Sequence, residues 1–269
     1  MTCSPWSRAA AAALVAASLA LAGCGTTSGD DLAGKTAEKL YADAKEDMES
    51  GGYDRAIKAM ERVEGLAAGT LLAQQAQLDL AWLYWKTAEK AQALTTIERF
   101  IKLNPSSPGL DYALYLRGMI NFNDELGLLG NWAGQDLSER DQRASRDAFQ
   151  AFKQLVEQFP QSKYADDARY RMDYIVNSLA AYEVHVARYY LRRGAYLAAA
   201  NRAQTTVAEF QESPAVEEAL YILTQAYDKL DLPQLRDDAD RVLRQNFPNS
   251  VFIAEGAGAR NKRPWWKLF

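Results

Sequence analysis

Three pairs of alanines set twelve residues apart restrict this chain more than any other feature: Ala44 and Ala56, Ala81 and Ala93, Ala187 and Ala199. Each pair straddles a short polar break, as in Glu49-Ser50-Gly51-Gly52-Tyr53-Asp54. Small side chains facing each other let two antiparallel helix backbones approach closely, which bulkier residues at the same positions forbid. The flanking residues keep helical spacing. Leu78, Ala81, Trp82 and Trp85 fall on one face, as do Leu94, Ile97 and Ile101, and Phe149, Phe152, Val156 and Phe159. No stretch sustains strand alternation, so the expected fold is all-α.

The second helix of each pair runs into a recurring stop: Leu103-Asn104-Pro105-Ser106, Phe159-Pro160-Gln161-Ser162, Phe210-Gln211-Glu212-Ser213-Pro214 and Phe247-Pro248-Asn249-Ser250. Proline cannot continue a helix, and serine or asparagine can cap the next one. Leu103, Phe159, Phe210 and Phe247 are expected to plug the joins. This grammar resembles the tetratricopeptide repeat, a helix pair with a period of about 34 residues. Ala56, Ala93, Ala148, Ala199 and Ala239 set a register of five repeats, with gaps of 37, 55, 51 and 40. Two gaps carry extra residues. Gly118 replaces the first alanine of repeat three and lies 30 residues before Ala148, so an insertion is expected around Gly127–Gly134. From Lys163 to Arg193 there is no glycine or proline, which predicts a first helix of about 30 residues in repeat four. The expected architecture is a right-handed solenoid over 37–250, with repeats near 37–70, 71–105, 108–160, 163–212 and 214–248. Such a stack presents a concave face to other proteins.

The N-terminus places this scaffold outside the cytoplasm. Arg8 precedes a short apolar run, Ala9 to Leu21, followed by Leu21-Ala22-Gly23-Cys24. That is a secretory signal over 1–23, too short for a comfortable membrane span. The tetrad resembles a bacterial lipobox, which implies that Cys24 becomes the first residue and carries a diacylglycerol and an N-acyl chain. Gly25, not aspartate, follows it, and by resemblance to lipoprotein sorting rules this favours the outer membrane. Residues 24–36 are expected to form a flexible tether. Cys3 falls in the discarded signal, so the mature chain cannot close an internal disulfide and depends on its core.

The formal charge is −4, with no clustered basic face, so nucleic acid is not expected as a partner. The tail over 251–269 differs: Arg260, Lys262, Arg263 and Lys267 are interleaved with Trp265 and Trp266. Cations beside tryptophan suit a membrane interface or an aromatic-binding groove on a partner, and the alternative is a terminus without a role.

Chemistry is hard to find. His185, the one histidine, sits inside the expected long helix without a nucleophile beside it, and reads as a helix-surface or inter-helix residue. No metal-binding spacing occurs, and no metal or cofactor beyond the lipid on Cys24 is expected. Adjacent carboxylates such as Asp166-Asp167 and Glu217-Glu218 diverge on a helix and lie near helix starts, where negative charge offsets the macrodipole. Tyr84 and Tyr112 are either inter-helix core or the lining of a groove for an extended peptide. The chain is expected not to be an enzyme.

Several strings then converge on one family. Arg99-Phe100-Ile101-Lys102-Leu103-Asn104-Pro105-Ser106-Ser107-Pro108 with Asp111-Tyr112-Ala113-Leu114-Tyr115-Leu116-Arg117-Gly118 resembles the BamD lipoproteins of the β-barrel assembly machinery. So do Gln75–Leu80, Asp136–Asp141, and Arg193-Gly194-Ala195-Tyr196 leading to Asn201-Arg202. The resemblance implies a lipoprotein in the periplasmic leaflet of the outer membrane. Its partners would be a BamA-type barrel insertase, other lipoproteins of the complex, and unfolded outer-membrane protein clients. It implies that the C-terminal repeats bind the insertase, with Arg202 as the foremost candidate contact and Arg193 and Tyr196 beside it. Relatives carry an aromatic-proline join after repeat one where this chain has Glu64-Gly65-Leu66-Ala67-Ala68-Gly69-Thr70, which is expected to loosen that join. The competing reading is another lipid-anchored repeat adaptor, for pilus assembly or peptidoglycan attachment.

Overall fold

The computed structural model describes residues 34–122 and 142–255. The signal peptide, Cys24, most of the tether, the insertion around Gly127–Gly134, and Trp265 and Trp266 lie outside the described residues. Those described contain helices and turns and no strand. The helices are α1 (Ala37–Ser50), α2 (Tyr53–Leu66), α3 (Leu71–Lys86), α4 (Lys90–Leu103), α5 (Leu110–Asn121), α6 (Gln142–Gln158), α7 (Ala165–Arg192), α8 (Tyr196–Glu209), α9 (Ala215–Lys229), α10 (Pro233–Asn246) and α11 (Val251–Glu255). They fall into two units, divided between Ala76 and Gln77 within α3.

In the first unit, Thr36 opens α1 by accepting a hydrogen bond from the Lys39 N–H. Gly51 closes the helix in the left-handed region at φ 82°. An ion pair from Arg55 to Asp47 (2.6 Å) spans the turn into α2. Ala44 and Ala56 are both fully buried, as are Leu40, Met60 and Val63. Each helix of this pair thus buries a small residue at the position the alanine spacing marks.

The second unit repeats this construction. Ala81 with Ala93, and Ala187 with Ala199, are again fully buried. In the α5/α6 pair the small residue is Gly118. A β-carbon there would stand 2.3 Å from the Phe152 ring, so the aromatic occupies the space that an alanine takes elsewhere. Helix α5 ends at Asn121 and α6 begins at Gln142, so the extra residues of this pair lie between its two helices. Helix α7 runs 28 residues, or about 42 Å. It buries Ile175, Leu179, Ala180, Val184 and Ala187 along one face.

Two hydrogen-bond patterns recur. Within pairs, a residue in the left-handed region turns the chain: Gly51, Ala88 (φ 64°), Gly194 (φ 76°) and Asp231 (φ 56°). Between pairs, the residue after each second helix accepts a hydrogen bond from the N–H three residues on. The bonds are Thr70 to Ala67, Ser107 to Asn104, Ser162 to Phe159, Ser213 to Phe210 and Ser250 to Phe247. In each case the hydroxyl of that Ser or Thr then accepts from an N–H two or three residues further along.

These bonds correct two expectations. The join after α2 is not loosened in its hydrogen bonding. Thr70 fills the serine role, donating its hydroxyl to the Ala67 carbonyl (2.7 Å) and accepting from the Ala73 N–H (3.3 Å). Gly69, at φ 80°, makes that turn without proline. Leu103 is not a plug. The structural equivalent of Phe210 is Asn104, and one residue earlier on a helix points about 100° away, leaving Leu103 65% exposed. Phe210 itself is 8% exposed and does fill its join.

Candidate partner-binding site

Two groups of candidate side chains can be built from these helices, both within the second unit. The first surrounds the start of α7. The Tyr164 ring stacks on Tyr115 (centroids 4.8 Å) and lies 5.5 Å from Tyr112. The Lys163 ammonium sits 5.0 Å from the Tyr164 centroid. Tyr115 donates to Asp167 (2.7 Å), which also accepts from Arg171 (2.6 Å). Ser162, the capping residue of this join, donates to Asp111 (2.7 Å). Burial pushes the Tyr112 phenol well above its ordinary value, with the Asp79 charge acting in the same direction. Burial and the bond to Asp167 likewise raise Tyr115. Burial alone would raise the Asp167 carboxyl, but the hydrogen bonds from Arg171 and Tyr115 together hold it below the usual carboxylate range.

Tyr112 therefore belongs to a three-ring cluster. Tyr84 packs, half-buried, beside Trp82 and Trp85 on the core that Tyr112 also lines. Both tyrosines keep some exposed surface while serving as core. The sequence singled out Tyr84 and Tyr112 but missed Tyr164. Its only sequence signal was its place two residues after a capping serine.

The second group lies where α7 meets α8. Arg202 donates to both carboxylate oxygens of Glu183 (3.0 and 3.3 Å), whose side chain is only 4% exposed. That bond raises Arg202 above its ordinary value. All of it comes from one terminal nitrogen, and the Arg202 side chain stays 44% exposed. Arg193 stands apart, at the turn after α7. Its guanidinium lies 5.5 Å from the Tyr189 centroid, and its Nε donates to the Tyr189 hydroxyl (3.3 Å). Tyr196 packs, half-buried, on the core shared by α7, α8 and α9. Arg202 and Arg193 thus anchor separate contacts. Sequence reading missed Glu183, since a carboxylate in a helix reads as a solvated one. It also missed the Arg188–Glu218 pair, with two bonds of 2.7 Å between α7 and α9. Asp166, Asp167, Glu217 and Glu218 do occupy first helical turns, but Asp167 and Glu218 also tie helices together.

Among the described residues no group of three or more His, Cys, Asp or Glu is placed to hold a metal ion. None of their helices is long and apolar enough to cross a membrane. What the geometry offers instead is a run of helix pairs whose aromatic and guanidinium groups are half held by the fold and half open. That defines a paired-helix repeat scaffold of the tetratricopeptide type. Residues 33–243 match the YfiO family, described as outer membrane lipoprotein. Over 260 residues the chain is 46% identical to the outer membrane protein assembly factor BamD of Neisseria gonorrhoeae, spanning 95% of this chain and 97% of that one. It is 34% identical over 233 residues to the BamD of Vibrio cholerae, spanning 87% and 96%. The BamD of Haemophilus influenzae is 30% identical over 234 residues, spanning 87% and 89%. The chain belongs to this family of outer membrane protein assembly factors.

Proposed function

We propose that this chain is the lipid-anchored scaffold of an outer-membrane β-barrel assembly complex, tethered through acylated Cys24 on the periplasmic face. It binds a BamA-type insertase through its later helix pairs and presents unfolded clients to it, alongside other lipoproteins of the complex. Its mechanism is equilibrium binding, with no bond made or broken. The observation that carries this reading is 46% identity over 95% of the chain to an outer membrane protein assembly factor. The half-open geometry of Arg202 supports it: one terminal nitrogen fixes the side chain on Glu183, and the free edge of the guanidinium can take a partner carboxylate. Arg193 and Tyr196 stand at the start of α8 and would add separate contacts to the partner. Tyr84 and Tyr112 are suited to an extended client segment, whose backbone can hydrogen-bond a phenol while its side chains stack on the rings.

The Arg202–Glu183 bond decides how this must be tested. Arg202→Glu would set a second carboxylate against a buried one and weaken the fold itself. The informative variant is Arg202→Gln with Glu183→Gln, which removes the charge without stranding a buried carboxylate. With circular dichroism unchanged, recovery of the insertase from solubilised outer membranes should fall at least about tenfold, an energy typical of a partner guanidinium–carboxylate pair. Full recovery at moderate salt would refute the assignment of Arg202. Loss of palmitate labelling in Cys24→Ser tests the anchor.

A further inference from the structure

Helices α6 and α8 both pack on the long helix α7. A cavity of about 250 Å³ opens where the three meet, and none of its lining residues belongs to either group described above. Leu179 and Phe210, 9% and 8% exposed, are its most deeply buried lining residues. Phe149 and Val176, both half-buried, add a second ring and a branched side chain. The fold accounts for this apolar part, since Phe210 fills the join after α8 and Phe149 packs on the core of the α5/α6 pair. It does not account for the polar part. Arg146, Gln150 and Glu209 also line the opening. All three are exposed, and among the described residues none of them makes a hydrogen bond or ion pair.

Size and chemistry together select the occupant. Pockets for whole small molecules enclose about 300–1,000 Å³, so this smaller cavity admits a single large side chain. The rings of Phe149 and Phe210 favour an aromatic one, through ring–ring contact. The rim then selects what carries that ring. A cation and an anion at one opening match a ligand bearing both charges. Gln150 adds an amide that donates and accepts, the same pairing that a peptide group offers. A zwitterionic lipid would also meet the two charges, yet its ester groups only accept and its acyl chain brings no ring. In an extended peptide every second side chain points the same way, roughly 6.5 Å apart. An aromatic residue entering the cavity therefore brings the residues two before and two after it to the rim.

We infer that the α6/α7/α8 cavity is a peptide-binding site for an extended segment of a partner protein. It takes one aromatic side chain, with an acidic residue two positions to one side paired with Arg146 and a basic residue two positions to the other paired with Glu209. Either chain direction satisfies that arrangement. The site goes beyond the function proposed above, because it uses none of Arg202, Tyr84 and Tyr112 and reads a charge pattern whichever protein presents it.

The test uses three short capped peptides with the photocrosslinker p-azidophenylalanine at the centre. They differ only in the residues two before and two after it: Glu and Lys, Glu and Glu, or Lys and Lys. Each is irradiated with the purified full-length protein at low salt, and adducts are mapped by mass spectrometry. The Glu/Lys peptide should label residues 146–150, 176–179 and 209–210, at least threefold more than either like-charged peptide. Glu209→Lys, an exposed change at a residue without a bond to lose, makes both rim charges positive. In that variant, with circular dichroism unchanged, the Glu/Glu peptide should become the preferred one by at least threefold, as expected for an exposed pair turned from attraction to repulsion. Equal yields from the three peptides on the parent protein would overturn the proposal, and that comparison stands without the variant. So would adducts mainly elsewhere on the scaffold, or an unchanged preference in folded Glu209→Lys protein. Displacement by phosphatidylethanolamine vesicles but not by the unlabelled Glu/Lys peptide would assign the cavity to lipid and refute the peptide site.

Discussion

Gly118→Ala adds one methyl group to a helix, and in most helices that substitution is stabilising by about 1 kcal/mol. Here it should destabilise. The added carbon would lie 2.3, 2.6 and 2.7 Å from three atoms of the Phe152 ring, whereas ordinary contact begins near 3.4 Å. The ring must therefore move by about 1.1 Å at its nearest atom. Phe152 is fully buried, with Tyr115 at 6.0 Å and Phe122 at 6.2 Å between centroids, so there is no space to receive it. Overpacking of this kind costs about 1–3 kcal/mol, and the tight cage places this site toward the upper end. After subtracting the helix gain, a net loss of about 1–2 kcal/mol remains. In a domain of this size that lowers Tm by roughly 2–8 °C. Urea unfolding followed by helical circular dichroism measures the loss. The companion is Gly118→Ala with Phe152→Leu, in which the shorter side chain admits the methyl. The double variant should be more stable than the sum of the single losses by at least about 1 kcal/mol. A Gly118→Ala protein as stable as the parent, or strictly additive losses, would refute the reading that this glycine exists to seat the ring.

Three further outcomes follow from the described geometry. Ala88 holds φ 64°, where a β-carbon is strained, so Ala88→Gly should raise stability by about 0.5–1 kcal/mol in the same urea assay, after the larger unfolded-state entropy of glycine is counted. Arg188 and Glu218 are 15% and 19% exposed and joined by two bonds, so Arg188→Ala should cost about 2–3 kcal/mol; replacing both residues by Gln and Met should cost less than Arg188→Ala alone. Burial raises the phenols of Tyr112, Tyr115 and Tyr227, so in a tyrosinate absorbance titration these should ionise after the exposed tyrosines. Their folded values lie above the unfolded one, so their contribution is full below about pH 10 and is lost as pH rises beyond it; Tyr112→Phe should reduce that alkaline loss, and an unchanged alkaline midpoint would count against the buried phenol.

Much of the fold was legible because its determinants are local. Twelve-residue alanine spacing, a polar break and a capping serine are short-range instructions, and burial of Ala44, Ala56, Ala81, Ala93, Ala187 and Ala199 follows from them. The length of α7 was equally legible, since nothing between Lys163 and Arg193 interrupts a helix. Leu103 was misread because its stop was aligned on the apolar residue and Ser106 three positions later, whereas the structural register runs through Asn104 and Ser107, one position further on. The candidate sites were legible only in part. Arg202, Tyr84 and Tyr112 stood out by type and by resemblance. Their partners Glu183 and Tyr164 did not, because each comes from another segment of chain.

The amino-acid order by itself determined which segments are helical, where each stops, and which small residues must face one another, since these depend on contacts a few residues apart. Only the tertiary structure decided which charges and rings meet across helices. Those meetings join residues 19 to 52 positions apart, as in Glu183 with Arg202 and Tyr115 with Asp167. Helix rotation and interhelical packing set such distances, and no local pattern encodes them.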